Sequence, residues 1–263
     1  PLVAAMSVGP LMAWKRADLA GALSRLKFAA VLTVICVLGA LYAYQGGPVL
    51  ALLGVAMAAW AFFGALAEFA DRIRLFRAPL GESLRRAGGL PRSAWGMTIA
   101  HAGMGIAIAG MTGSAAWMTE RIQLMRPGDT AQIAGYELRF DEVHERSVAN
   151  YQAKTSTFTV SRDGKFVATL HPEERWFPVA RMSTTEAAIR TNFVSDLYVV
   201  LGQEQQGTGA YATRLYHHPL VPWIWIGCVV MVVGGCVSLS DRRFRIGVPE
   251  KKRNRQPVPL PAE

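Results

Sequence analysis

The chain has 263 residues, 51% of them hydrophobic and 18% charged, with a mean hydropathy of +0.21 and a formal net charge of +9. That composition excludes an ordinary water-soluble domain and predicts an integral membrane protein with room for several spans and one modest soluble domain. A basic chain can bind nucleic acid, but here the excess lies in segments flanking apolar runs and not on a folded domain, which excludes that partner.

In chain order, residues 1–14 are apolar but too short to cross a bilayer, and they run into Lys15 and Arg16. They read as the exit end of a helix, so the chain is expected to be the C-terminal part of something longer. Four runs then meet the length of a span, about 20 mostly apolar residues: 28–44, 48–70, 95–118 and 220–240. The first two, joined by Gln45-Gly46-Gly47, form a helical hairpin over 28–70. Basic residues cluster before the first run (Lys15, Arg16, Arg25, Lys27), after the second (Arg72 to Arg92) and after the fourth (Arg242 to Arg255). Alternation of the spans puts these clusters on one side, which the positive-inside rule makes the cytoplasm. The expected fold is therefore integral membrane α-helical, with four full transmembrane helices and a partial N-terminal one. The three cysteines lie in apolar runs with no C-x-x-C pair, and read as small buried hydrophobes.

Between the third and fourth runs, residues 119–217 carry 11 basic and 12 acidic residues and read as strands. Tyr136, Leu138 and Phe140 alternate with Glu137, Arg139 and Asp141, the period of a half-buried strand. Asp163-Gly164 between two strand-like runs predicts a hairpin. "RPGDT" (126–130) predicts another turn, and "DLYVVLG" and "AYATRLY" two further strands. The expectation is a small antiparallel β domain, a barrel or sandwich, on the periplasmic side. The division is then a helical region 1–118 with a ligand-bearing helix 95–118, the β domain 119–217, a last helix 218–245 and a basic cytoplasmic tail 246–263. His144 and His171 read as solvent-exposed bystanders.

Three strings go beyond statistics. "HPEERWFPVARMSTTEAAIRTNFVSDLYVVLG" (171–202) resembles the periplasmic part of the CcmF family, in which a P-E-[KR]-R-aromatic stretch leads into T-T-E-A-A-I-R and D-L-Y-V-x-L-G. "RLYHHPLVPWIWIGCVVMVVGGCVSLSDRRFR" (214–245) resembles that family's last span, and "AHAGMGIAIAG" (100–110) its H-x-G-x-A span. The resemblance implies a large membrane subunit of the system I cytochrome c haem lyase, placed in the bacterial inner membrane with its C-terminus in the cytoplasm. It implies as partners the N-terminal half of the same protein, a periplasmic haem chaperone, apocytochrome c and other lyase subunits. Thioether chemistry would belong mostly to the N-terminal half and the substrates, so this portion alone is expected to be inactive. The competing functions are a membrane b-type cytochrome relaying electrons from quinol, and a haem transporter subunit, which lacks support from paired, broken helices with buried acids.

His101 is the one ionisable side chain in its run, near the cytoplasmic end of the helix. It either hydrogen-bonds a neighbouring helix or binds something. Thr98, Gly105, Ala102 and Gly103 leave clearance for a flat ring, and the resemblance implies an axial ligand of a non-covalent haem b, in the neutral imidazole form. The second axial ligand is implied to lie outside this chain, and the haem to pass electrons to the iron being transferred. No catalytic residue is assigned. Met97, Met104, Met111, Met118 and Met125 recur every seven residues, a packing seam or, less simply, sulfur ligands. His217 and His218 read as interfacial anchors or haem contacts, Trp223 and Trp225 as part of an aromatic belt. Glu68 reads as an i,i+4 partner of Arg72 with its charge snorkelled out.

Overall fold

The computed structural model describes residues 1–11, 19–43 and 48–241. Lys15 and Arg16, the Gln45-Gly46-Gly47 turn and the basic tail from Arg242 onward lie outside the described residues.

A short helix α1 (Leu2–Val8), continued by a 3-10 turn (Gly9–Leu11), precedes α2 (Leu19–Arg25), α3 (Lys27–Ala43) and α4 (Val49–Arg72). The arginine-rich stretch after α4 contains a helix α5 (Leu80–Gly89). Then come α6 (Arg92–Ala116), ten strands, and α7 (Val221–Leu239). Among the described residues α4, α6 and α7 are long and apolar enough to cross a membrane, while α3 is a shorter apolar helix of 17 residues. Pro48, Pro79 and Pro91 each stand immediately before a helix, where a fixed φ suits entry and the next N–H groups have no intrahelical partner anyway.

The helices pack through glycine. Gly96 and Gly103 on α6 meet Gly234 and Gly227 on α7 so closely that a Cβ on Gly227 would lie 2.5 Å from the Ala107 nitrogen. Small residues let backbones approach where lipid gives no hydrophobic drive to association. The seven-residue seam is therefore real but belongs to the glycines, one place before the methionines. The methionine series is not one face of one helix: α6 stops at Ala116, Met111 and Met118 are exposed, and Met125 lies in the core of the β domain. At the other end of the pair, Asp241 caps α6, its Oδ2 accepting from the Ser93 N–H at 3.0 Å. Cys36, Cys228 and Cys236 are free thiols, as expected, but none is buried and Cys236 is exposed.

The strands form a sandwich of two antiparallel sheets. One has the order β1 (Thr119–Met125), β10 (Ala210–Pro219), β9 (Ser195–Gln205), β8 (Ala188–Thr191). The other runs β2 (Thr130–Ile133), β3 (Tyr136–Ser147), β4 (Gln152–Arg162), β6 (Glu173–Phe177), β7 (Met182–Glu186), with β5 (Lys165–Leu170) also on β4. Tyr136, Leu138 and Phe140 point inward. Phe140 stacks on Phe158 at 4.7 Å, in a core that also holds Val160, Leu197, Val199, Leu201 and Leu215.

The Asp163-Gly164 hairpin is present with both residues at positive φ (50° and 71°), the two-residue turn whose twist matches its strands. Ala134-Gly135 makes an equivalent turn (49° and 79°) that the sequence does not signal, because alanine rarely adopts that backbone conformation. The "RPGDT" turn joins β1 to β2, with Asp129 Oδ2 accepting from the Arg126 N–H at 2.7 Å. β1 pairs with β10 from Thr119↔His217 to Met125↔Tyr211. The entering and leaving strands thus continue the α6–α7 pair, and the sandwich is inserted between two packed helices.

Candidate functional site

His101 lies nine residues into α6, about 14 Å from the helix start at 1.5 Å per residue, in the half away from the sandwich. Its ring is half-buried and makes no hydrogen bond or ion pair among the described residues. Among the described residues no neighbouring helix supplies the hydrogen bond that is one of the two sequence readings.

The clearance expected beside His101 is not open space. Gly105 is filled by α4, where a Cβ would lie 2.8 Å from Phe62, and Gly103 is filled by α7. Thr98 is buried and donates its hydroxyl to the Ala94 carbonyl at 3.1 Å. Small residues on α6 serve helix packing, and a sequence pattern alone does not say whether a partner helix or a ligand takes up the room.

What remains is a cavity of about 10 Å³ that His101 and Thr98 share with Ala61, Gly64 and Glu68 of α4. It is roomy enough for one water at most. Helix α1 covers it: Ser7 donates to the Trp60 carbonyl and Trp60 Nε1 donates to the Ala4 carbonyl, both at 3.0 Å. Gly64 permits this contact, since a Cβ there would collide with Ser7.

Glu68 departs from its sequence reading. The i,i+4 pair with Arg72 is present, but the carboxylate is not snorkelled out: Glu68 is only 3% exposed. One oxygen accepts from Arg72, and the other, Oε2, is buried with no hydrogen-bond partner among the described residues.

The chemistry of His101 suits a haem iron, being a half-buried imidazole in an apolar span with no partner among the described residues. The 10 Å³ cavity does not admit a macrocycle, so a haem would have to meet the part of the ring outside it.

The remaining candidates are structural in their contacts. His217 and His218 belong to β10 and not to the helix start. His218 stacks on Tyr216 at 5.7 Å, and burial, then His218 and Arg162, lower the pKa of His217. Trp223 Nε1 donates to the Phe193 carbonyl at 3.0 Å, tying α7 to the sandwich, whereas Trp225 is exposed. His144 is exposed beside Glu142, and His171 is exposed beside Thr157.

The strings that carry the family resemblance build an ion-pair network. Glu173 accepts from Thr155 at 2.9 Å and from Arg175 at 2.8 Å, with Arg146 at 3.2 Å, and Arg175 also reaches Glu186 at 3.1 Å. Burial alone would raise the pKa of Glu173, but these hydrogen bonds and charges outweigh it and lower it. The sequence holds no local signal for this network, because its members come from β3, β4, β6 and β7.

Apolar helices closed by glycine contacts, with an antiparallel sandwich inserted before the last of them, define a multi-pass membrane protein with an inserted β domain. Residues 116–219 match the family described as the CcmF C-terminal beta-sandwich. The chain is 42% identical over 263 residues to the cytochrome c-type biogenesis protein CycK of Bradyrhizobium diazoefficiens, covering all of this chain and 39% of that protein. It is 36% identical over 254 residues to the cytochrome c-type biogenesis protein CcmF of Pseudomonas aeruginosa, covering 96% of this chain and 37% of that one. A solved structure of the cytochrome c heme lyase CcmF is similar in fold, with a TM-score of 0.66 at 17% identity over 91% of this chain and 38% of the other. The chain belongs to the CcmF family and corresponds to its C-terminal portion. It spans about two fifths of the length of the relatives it matches.

Proposed function

We propose that the chain is part of a cytochrome c haem lyase and supplies His101 as one axial ligand of a membrane haem b. The observation that carries the reading is an imidazole inside a span with no hydrogen-bond partner among the described residues. Leaving it unpaired in lipid is costly, and iron ligation removes that cost without a charge on the ring. Such a haem supplies one-electron chemistry when bound. This chain's part is to hold the imidazole and to cover one side of it by packing α1, α4 and α6 together. The second ligand comes from the N-terminal half, and the haem chaperone, apocytochrome c and other lyase subunits are the partners.

The same reading places four spans in the inner membrane, the sandwich in the periplasm and the C-terminus in the cytoplasm. A periplasm-dependent reporter fused after Gly164 should be active and one after Arg86 silent. The reverse result overturns the orientation.

The decisive experiment is His101→Ala in the full-length protein. The low-spin b-type spectrum should be lost or converted and haem retention weakened, with insertion unchanged, because alanine suits a span better than histidine. An unchanged spectrum with full haem content would refute the assignment.

A further inference from the structure

We propose that Glu68 is a positioning residue for His101, acting through one water held in the cavity between α4 and α6. The inference rests on the reading of His101 as an axial ligand.

Two observations meet at this point. Glu68 and His101 line the same 10 Å³ cavity, and the Glu68 carboxylate is almost wholly buried with Oε2 unpartnered. A buried carboxylate oxygen without a donor is expensive, and Arg72 satisfies only the other oxygen. The described donors nearby are already committed: the Ser7 hydroxyl to Trp60 and the Thr98 hydroxyl to Ala94. Among the described residues the His101 ring, with no partner of its own there, is the group left to complete the arrangement.

A single water fits the volume and can make the bonds it needs. It donates to Glu68 Oε2 and to the Ser7 or Thr98 oxygen, each of which keeps acceptor capacity, and it accepts from one ring N–H of His101. This fixes the tautomer. The other ring nitrogen then keeps its lone pair free for a ligand outside the cavity. A carboxylate behind the imidazole also makes it a stronger donor to iron, which favours the ferric state.

The test uses the full-length protein with its haem and reads the spectrum, haem affinity and midpoint potential of Glu68→Gln, Glu68→Leu, Arg72→Gln and His101→Ala. Glu68→Gln should fold, keep the low-spin spectrum and raise the potential. Glu68→Leu should raise it further and weaken haem affinity about 10- to 100-fold, as loss of such outer partners does. If both Glu68 variants match the wild type while His101→Ala loses the low-spin spectrum, Glu68 does not position the ligand and the axial reading survives. If Arg72→Gln lowers the potential by as much as Glu68→Gln raises it, net charge at the end of α4 sets the potential and the proposal fails. If His101→Ala keeps its spectrum, both readings fall.

Discussion

The sandwich and the helices of this chain are held together by contrasting chemistry. In the sandwich Phe140, Phe158, Leu138 and Val160 are wholly removed from solvent, and burial of large apolar side chains from water is what folds it. In the helical region large side chains such as Val229, Val232 and Leu53 face outward and the contacts are made by Gly96, Gly103, Gly227 and Gly234. Lipid is as apolar as a leucine, so close backbone approach takes the place of hydrophobic burial there. A substitution that damages one region should therefore be nearly harmless in the other.

The largest effect expected is from Phe140→Ala. It removes a stacked aromatic from a filled core and should cost the sandwich about 3–5 kcal/mol. Hydrogen exchange on the detergent-solubilised protein should show loss of protection in β3, β4 and β9 with α6 and α7 unchanged. Equal loss in the helices would show that the two regions unfold as one.

Gly227→Ala makes the reciprocal test. Its added Cβ meets backbone on both sides, at 2.5 Å from the Ala107 nitrogen and 2.6 Å from the Gly103 oxygen. Neither can rotate away, so α6 and α7 must separate, at about 1–3 kcal/mol. A cysteine pair engineered across the two helices should cross-link more slowly in this variant, while exchange in the sandwich core stays as it was.

Glu173→Gln is expected to be milder, about 1 kcal/mol, because the charge on its hydrogen bonds to Arg175 and Thr155 is lost while an amide oxygen can still accept. The effect should fall on β4, β6 and β7. Unchanged thermal stability would mean the network adds nothing beyond what solvent offers its arginines.

How much of this is legible in the sequence differs between local geometry and neighbours. Alternation of Tyr136, Leu138 and Phe140 and the turn at Asp163-Gly164 specify local geometry, and the strands form where that pattern puts them. Long apolar runs likewise mark α4, α6 and α7. Neighbours are another matter. The small residues around His101 are the same whether α4 or a ligand fills the space, and only the fold decides for Phe62. The spacing of Glu68 and Arg72 makes Glu68 look like a surface residue, while its burial depends on α1, far earlier in the chain. The cap that Asp241 places on Ser93 is similarly non-local, joining residues separated by more than half of the chain.

The smallest effect expected is a pH dependence confined to the sandwich. Burial, then the neighbouring His218 and Arg162, lower the pKa of His217 from 6.5 in the folded protein. The unfolded chain then takes up a proton before the folded one does, so stability is fully present above about pH 6.5 and falls as pH drops towards the folded value. Glu173 has the same sign in a lower window, since its depressed pKa makes its contribution disappear only as pH falls below 4.5. The two groups can therefore be separated. Thermal melts of the sandwich between about pH 7.5 and 5, a range that spans the histidine window alone, should show a decline that His217→Gln abolishes and Glu173→Gln leaves in place. A decline of equal size in the His217→Gln variant would assign it to another group and remove His217 from the account.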